Sequence, residues 1–314
     1  MRTVSAAEVD RTLDTGALVD RLEQMFAQGC EQPPRHHHTV QAGADPDGTL
    51  LLMPAWRPGG RIGIKIATIF AANGGRGLPS VMASYVLLDA TSGEPLAVID
   101  GAMLTVRRTA AASALAARFL ARADASRLVM VGAGALAPHL IRAHASQRPI
   151  AEVAIWNHRP ARAVALAADL RAAWPEGPAI RATEDLEAAV READIIACAT
   201  LSAEPLIAGR WLKAGAHLDL VGAYTPEMRE SDDDCVRRAR VFVDTRAGAT
   251  REGGDIAQPL AAGVLREADI LADLHELARG QHGGRASDGE ITLFKSVGAA
   301  LEDLAAAELV VEQL

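Results

Sequence analysis

The stretch RLVMVGAGALAPHLIRAHA, residues 127–145, constrains the fold of this chain more than any other. A short run of Leu, Val and Met suited to a buried strand enters a glycine turn and leaves as a helix. Gly132 to Ala137 spell GxGxxA, in which the first glycine permits a tight turn and the second lets a ligand approach the backbone. Ala137 keeps helix and strand close, and Pro138 falls in the first helical turn, where a missing N–H costs little. A helix N-terminus at such a turn presents N–H groups and the positive end of a dipole, which suits a pyrophosphate. VAIWN (153–157) reads as the second strand, ending where a dinucleotide-binding unit carries its ribose contact.

The segments that follow alternate in the same way. PARAVALAADLRAAW (160–174) has helical character, and DIIACAT (194–200) and AHLDLVGA (216–223) read as further strands. Alternating strands and helices imply a parallel sheet, hence an α/β fold with a Rossmann-type doubly wound sheet. An NAD enzyme usually places Asp or Glu at the end of the second strand. This chain has Asn157, His158 and Arg159 there. Arg159 suits a 2′-phosphate that a carboxylate would repel, so the expected cofactor is NADP(H) in preference to NAD(H).

The N-terminal hundred residues have a different texture. Ser5 and Glu8 have capping-box spacing, and ALVDRLEQMF (17–26) has helical apolar periodicity. GTLLLMPAW (48–56), RIGIKIATIF (61–70) and SVMASYVLLDA (80–90) read as strands between Gly- and Pro-rich turns, and TVRRTAAASALAARFLARA (105–123) as an Ala-rich helix. At the other end, ITLFKSVGAALEDLAAAEL (291–309) reads as a strand followed by a helix.

Composition narrows the ligand. The net charge of −8 argues against nucleic acid, and the absence of a long uninterrupted apolar run argues against a membrane or export segment. Three widely spaced cysteines, Cys30, Cys198 and Cys235, suggest neither a disulfide framework nor a zinc site, which fits a reducing cytoplasm. His36, His37 and His38 are consecutive and cannot all face one ion, so no metal site is expected.

GIKIAT, NGGRGLPS, LLDATSGEPLAVIDG, TVRRTAAASALAA, VGAGALA and TLFKSVGAALEDLAA occur in an order that resembles the ornithine cyclodeaminase/μ-crystallin family over nearly the whole chain. The resemblance implies a homodimer whose split α+β substrate-binding and dimerisation domain covers residues 1–117 and 297–314, with the Rossmann domain at 118–296. It also implies that a small amino or imino acid carboxylate is held by basic residues opposite the nicotinamide. The family's strand lysine falls on Lys65, the arginine before Thr-Ala-Ala on Arg108, and an N-terminal arginine on Arg35. Fixed cations at these positions are also what a carboxylate ligand requires. Ser80, Thr109 and Thr200 match positions lining cofactor or substrate.

The turn VGAYTPEMRE (221–230) separates the branches of the family. Cyclodeaminases carry an aspartate where this chain has Tyr224, and a phenol is a poor base at neutral pH. Reduction of a protonated C=N bond asks only that the carboxylate be held and a hydride presented. The Tyr-Thr-Pro form of this turn, with Met-Arg-Glu after it, resembles the reductase branch of the family, and the resemblance implies NADPH-dependent reduction of Δ1-pyrroline-2-carboxylate or Δ1-piperideine-2-carboxylate to L-proline or L-pipecolate. Lys65 is the expected catalytic residue, and Arg35, Arg108 and Tyr224 are its expected companions at the substrate. The alternatives are an NAD-dependent ornithine cyclodeaminase using Glu227, Glu230 or Asp232 as a displaced base, and a non-catalytic binding protein of μ-crystallin type.

Overall fold

The computed structural model describes residues 1–43 and 45–314. Two compact units are present, one formed by Met1–Arg108 with Ala299–Leu314 and the other by Thr109–Gly298. The first is built on six strands: β1 (Arg2–Val4), β2 (His36–Val40), β3 (Gly48–Trp56), β4 (Arg61–Ile69), β5 (Val81–Asp89) and β6 (Pro95–Asp100), in the order β1-β6-β5-β4-β3-β2. All neighbours except β1 and β6 are antiparallel, as short turns such as RPGG between β3 and β4 require.

Alternation along these strands sends two sets of residues to opposite faces. Met53, Lys65, Tyr85 and Ile99 stand in register across β3, β4, β5 and β6 and are buried. The helices Thr15–Gln28 and Ala300–Glu312 pack on this unit and against each other. On the other face lie Leu50, Leu52, Ile62, Ile64, Ile66, Met82, Val86 and Leu88, all half-buried or exposed. The expected capping box is formed: Glu8 N donates to Ser5 Oγ, and Ser5 N donates to Glu8 Oε2.

The second unit contains β7 (Arg127–Val131), β8 (Glu152–Trp156), β9 (Ala179–Ala182), β10 (Ile195–Cys198), β11 (His217–Leu220), β12 (Arg240–Val243), β13 (Ile270–Asp273) and β14 (Thr292–Lys295). They form one parallel sheet in the order β13-β12-β14-β11-β10-β7-β8-β9. β8 and β9 lie on one side of β7 and β10 on the other, so the order reverses beside β7, where open α/β sheets bind ligands.

The Ala-rich helix runs over Gly101–Leu120, four residues earlier at its start than its periodicity predicts, because Asp100 Oδ1 accepts from Met103 N and caps it. Among the described residues no helix is long and apolar enough to cross a membrane.

Candidate active site

In the first unit Lys65, Arg108, Glu302 and Asp303 form one buried cluster. β4 carries Lys65 on the face that the C-terminal helix covers, and that helix supplies both carboxylates. Lys65 Nζ lies 2.7 Å from Asp303 Oδ2. Arg108 donates from Nε to Asp303 Oδ1 at 3.0 Å and from Nη1 to Glu302 Oε2 at 2.5 Å. Asp303 thus bridges the two cations. Lys65 is only 4% exposed and Arg108 5%, so the pairings are made largely out of water.

Burial pushes the Lys65 ammonium down, to about 8, with Arg108 and Arg35 acting in the same direction while Asp303 opposes them. Burial also works against the Arg108 cation, but Asp303 and Glu302 outweigh it and leave the guanidinium more firmly protonated than usual. Burial raises the Asp303 carboxyl, and Arg108 and Lys65 more than reverse that. Arg35, half-buried just before β2, thus has its charge within reach of Lys65. Tyr85 is the cross-strand partner of Lys65 and is fully buried, and a Cβ on Gly63 would meet its hydroxyl at 1.8 Å. Ser80 belongs to this unit and is exposed next to β5.

The remaining residues expected at the cofactor are in the second unit, and all but Thr109 gather at the C-terminal ends of adjacent strands. Gly132, Gly134 and Ala137 follow β7, Asn157, His158 and Arg159 follow β8, and Thr200 follows β10. Tyr224, half-buried, follows β11. Thr109 is buried on the Ala-rich helix.

Gly132 has φ +114°, and a Cβ there would lie 2.6 Å from Ala199 O, so both conformation and space demand glycine. A Cβ on Gly134, by contrast, meets nothing within 4 Å, which leaves room over the backbone for a ligand. The helix Ala137–Gln147 begins with no side-chain cap at Leu136, so its N-terminus can serve an external anion. These features fit a dinucleotide pyrophosphate. Beyond β8, Asn157 Oδ1 accepts from Arg159 N at 2.9 Å and shapes the turn that exposes the side chains of His158 and Arg159.

The acidic residues after Tyr224 are committed elsewhere. Both Glu230 oxygens accept hydrogen bonds from Thr200, Gly222 and Ala223, and Asp232 Oδ1 accepts from Gly209 N and Cys235 N. Burial and Asp255 push the Glu230 carboxyl up to about 7, against Lys295 and the Thr200 hydrogen bonds. Glu227 is exposed.

The whole chain, residues 1–314, matches the model of the ornithine cyclodeaminase/mu-crystallin family. The chain belongs to that family. It is 35% identical over 316 residues to a Δ1-pyrroline-2-carboxylate reductase of Colwellia psychrerythraea, covering 100% of this chain and 99% of the relative. It is 34% identical to the ketimine reductase mu-crystallin of Rattus norvegicus, covering 98% and 95%. Its structure matches that of Thermococcus litoralis Δ1-pyrroline-2-carboxylate reductase in complex with NADH and L-proline, with a TM-score of 0.93, 32% identity and coverage of 100% and 97%.

The sequence reading missed Glu302 and Asp303, although a signal was present. The helix Ala300–Glu312 is buried along nearly its whole length, and acids in such a helix need cationic partners. Glu308 meets the same need through Arg57, at 2.8 Å.

Proposed function

We propose that the protein reduces a five- or six-membered cyclic ketimine carrying a 2-carboxylate, giving L-proline or L-pipecolate, with NADPH. The observation that carries this reading is the bridged Lys65–Asp303–Arg108 cluster in a chain whose β11 turn offers Tyr224 in place of a carboxylate base. Arg108 has five N–H donors and commits those of Nε and Nη1 to Asp303 and Glu302, so the rest of its fork can take the substrate carboxylate. Lys65, depressed to about 8, sits close enough to neutrality to hand a proton to the ring nitrogen. A bound nicotinamide supplies the hydride. Asp303 orients both cations, and burial keeps water from competing with the substrate for them.

Cyclodeamination is less well supported, because it needs a carboxylate base near Tyr224, and both Glu230 oxygens and Asp232 Oδ1 already accept hydrogen bonds. A substrate screen tests the assignment. NADPH oxidation with either ketimine supports it; ammonia release from ornithine with NAD, or binding without turnover, would overturn it.

Arg159 carries the choice of cofactor. Its exposed side chain beside the β8 turn is suited to a 2′-phosphate. The wild type should show higher kcat/KM with NADPH than with NADH, and Arg159→Ala should shrink that ratio by about 10- to 100-fold, the size of a charge-assisted hydrogen bond. A wild-type preference for NADH would sink this part of the reading.

The open apolar face of the first unit's sheet supports a homodimer. Ile66 is 38% exposed and Met82 39%, and the half-buried Leu50, Leu52, Ile64 and Val86 adjoin them on β3, β4 and β5. A second copy covers this face in the proposed assembly. Light scattering should give twice the chain mass of 33.0 kDa, and Ile66→Lys should shift it towards one chain mass. A wild-type monomer would overturn the assembly.

A further inference from the structure

We propose that Glu230 is a positioning residue for the nicotinamide end of the cofactor site, holding the ends of β10 and β11 together and so fixing Thr200 and Tyr224; this rests on the nicotinamide-dependent reductase reading. The two strands run side by side in register up to Cys198 and Leu220, and the last ladder bond joins Val221 N to Cys198 O at 2.9 Å. Beyond it, Glu230 becomes the acceptor that the ladder no longer provides. Its Oε1 accepts from Thr200 N at 2.7 Å and Thr200 Oγ1 at 2.8 Å, and its Oε2 from Gly222 N at 2.8 Å and Ala223 N at 3.2 Å.

The closeness of the two ends depends on this carboxylate. A Cβ on Gly222 would lie 2.1 Å from Thr200 O and 2.6 Å from Glu230 Oε1, so even a methyl group would drive the segments apart. Thr200 also borders the glycine turn: a Cβ on Gly132 would touch Ala199 O and stand 3.4 Å from Thr200 Cγ2. The clamp therefore sits at the β7–β10 reversal, where a bound dinucleotide passes from its pyrophosphate to its reactive ring.

Glu230 is itself held from behind. Asp255 Oδ1 accepts from Glu230 N and Ser231 N, each at 2.9 Å, and from Ser231 Oγ at 3.1 Å, while Asp255 Oδ2 meets Lys295 Nζ at 3.0 Å. Glu230, Ser231, Asp255 and Lys295 are all fully buried. Buried ionic groups of this kind are a poor source of stability compared with apolar side chains of similar volume. Their return here is geometric: one carboxylate sets three backbone N–H groups at the rim of the cofactor site.

The test uses the full-length enzyme. Glu230→Gln keeps the shape but turns an NH2 group towards N–H donors. NADPH affinity, followed by nicotinamide fluorescence, should weaken by about 10- to 100-fold, the loss expected for hydrogen bonds to a charged group. The primary isotope effect with 4-deuterated NADPH should rise above the wild-type value as hydride transfer becomes more rate-limiting. A lowered melting temperature with wild-type NADPH affinity and isotope effect would reduce Glu230 to a structural role and overturn the proposal. If Glu230→Gln does not fold, Gly222→Ala carries the test, with the same changes expected and unchanged NADPH affinity overturning it. NADPH titration needs no turnover, so a failure of the ketimine reading is seen separately, as a wild type that binds NADPH and reduces no ketimine.

Discussion

Arg108→Ala is expected to lower kcat/KM for the ketimine by about 30- to 5,000-fold, the range of about 2–5 kcal/mol seen when one member of a desolvated charge pair is truncated. Two effects add in this variant. The substrate carboxylate loses a planar, bidentate partner, and Glu302 and Asp303 lose the guanidinium that accepts their charge at 2.5 and 3.0 Å. The second effect alone should destabilise the fold by about 3–5 kcal/mol, because a buried carboxylate is left short of its counter-charge. Thermal unfolding and kinetics must therefore be read together. Arg108→Lys separates them: it keeps a cation for Asp303 but not the fork, so stability should recover more than substrate capture does. NADPH affinity, which the proposed function assigns to the glycine turn and Arg159, should stay near the wild-type value. A folded Arg108→Ala enzyme with an unchanged KM for ketimine would remove Arg108 from the substrate site.

The same cluster shows how far local sequence reading reaches. Lys65 and Arg108 stand out because each is a cation in an apolar or alanine-rich element, and a strand with period two leaves little doubt about which face Lys65 takes. The glycine turn was legible for a comparable reason, since its chemistry is written in adjacent residues. Asp303 was not, because its meaning depends on pairing with residues more than 190 positions away, as with Arg108. Glu230 was hidden differently. It sits in the run EMRESDDD, where the sequence marks Glu227, Glu230 and Asp232 alike as acids near Tyr224, and only the fold shows that Glu230 is the buried one. Short strands such as β9, β12 and β13 are four residues each, too brief for a periodic signal, and exist because neighbouring strands supply their hydrogen bonds. His36 to His38 belong to an edge strand, β2, that pairs with β3.

Lys65→Arg is expected to lower kcat by about 100-fold or more, the lower end of what a positioned proton donor contributes, while substrate binding falls less. Arginine preserves the positive charge beside Asp303, so the ion pair at 2.7 Å has a replacement and the carboxylate still meets a cation. What disappears is a compact group able to release a proton near neutrality. The pH dependence gives the sign. Burial, helped by Arg108 and Arg35, lowers the Lys65 ammonium to about 8, so the proton-donating form predominates below that pH and is lost as pH rises through it. The wild-type kcat/KM profile should then descend near pH 8, and the Lys65→Arg profile should lack that limb because arginine does not titrate in the range. Ionisation of the ketimine itself can also produce a descending limb, and it would remain in the variant. A Lys65→Arg enzyme with near-wild-type kcat and an unmoved limb would therefore assign the proton to the pre-protonated substrate or to water, and confine Lys65 to anchoring the carboxylate.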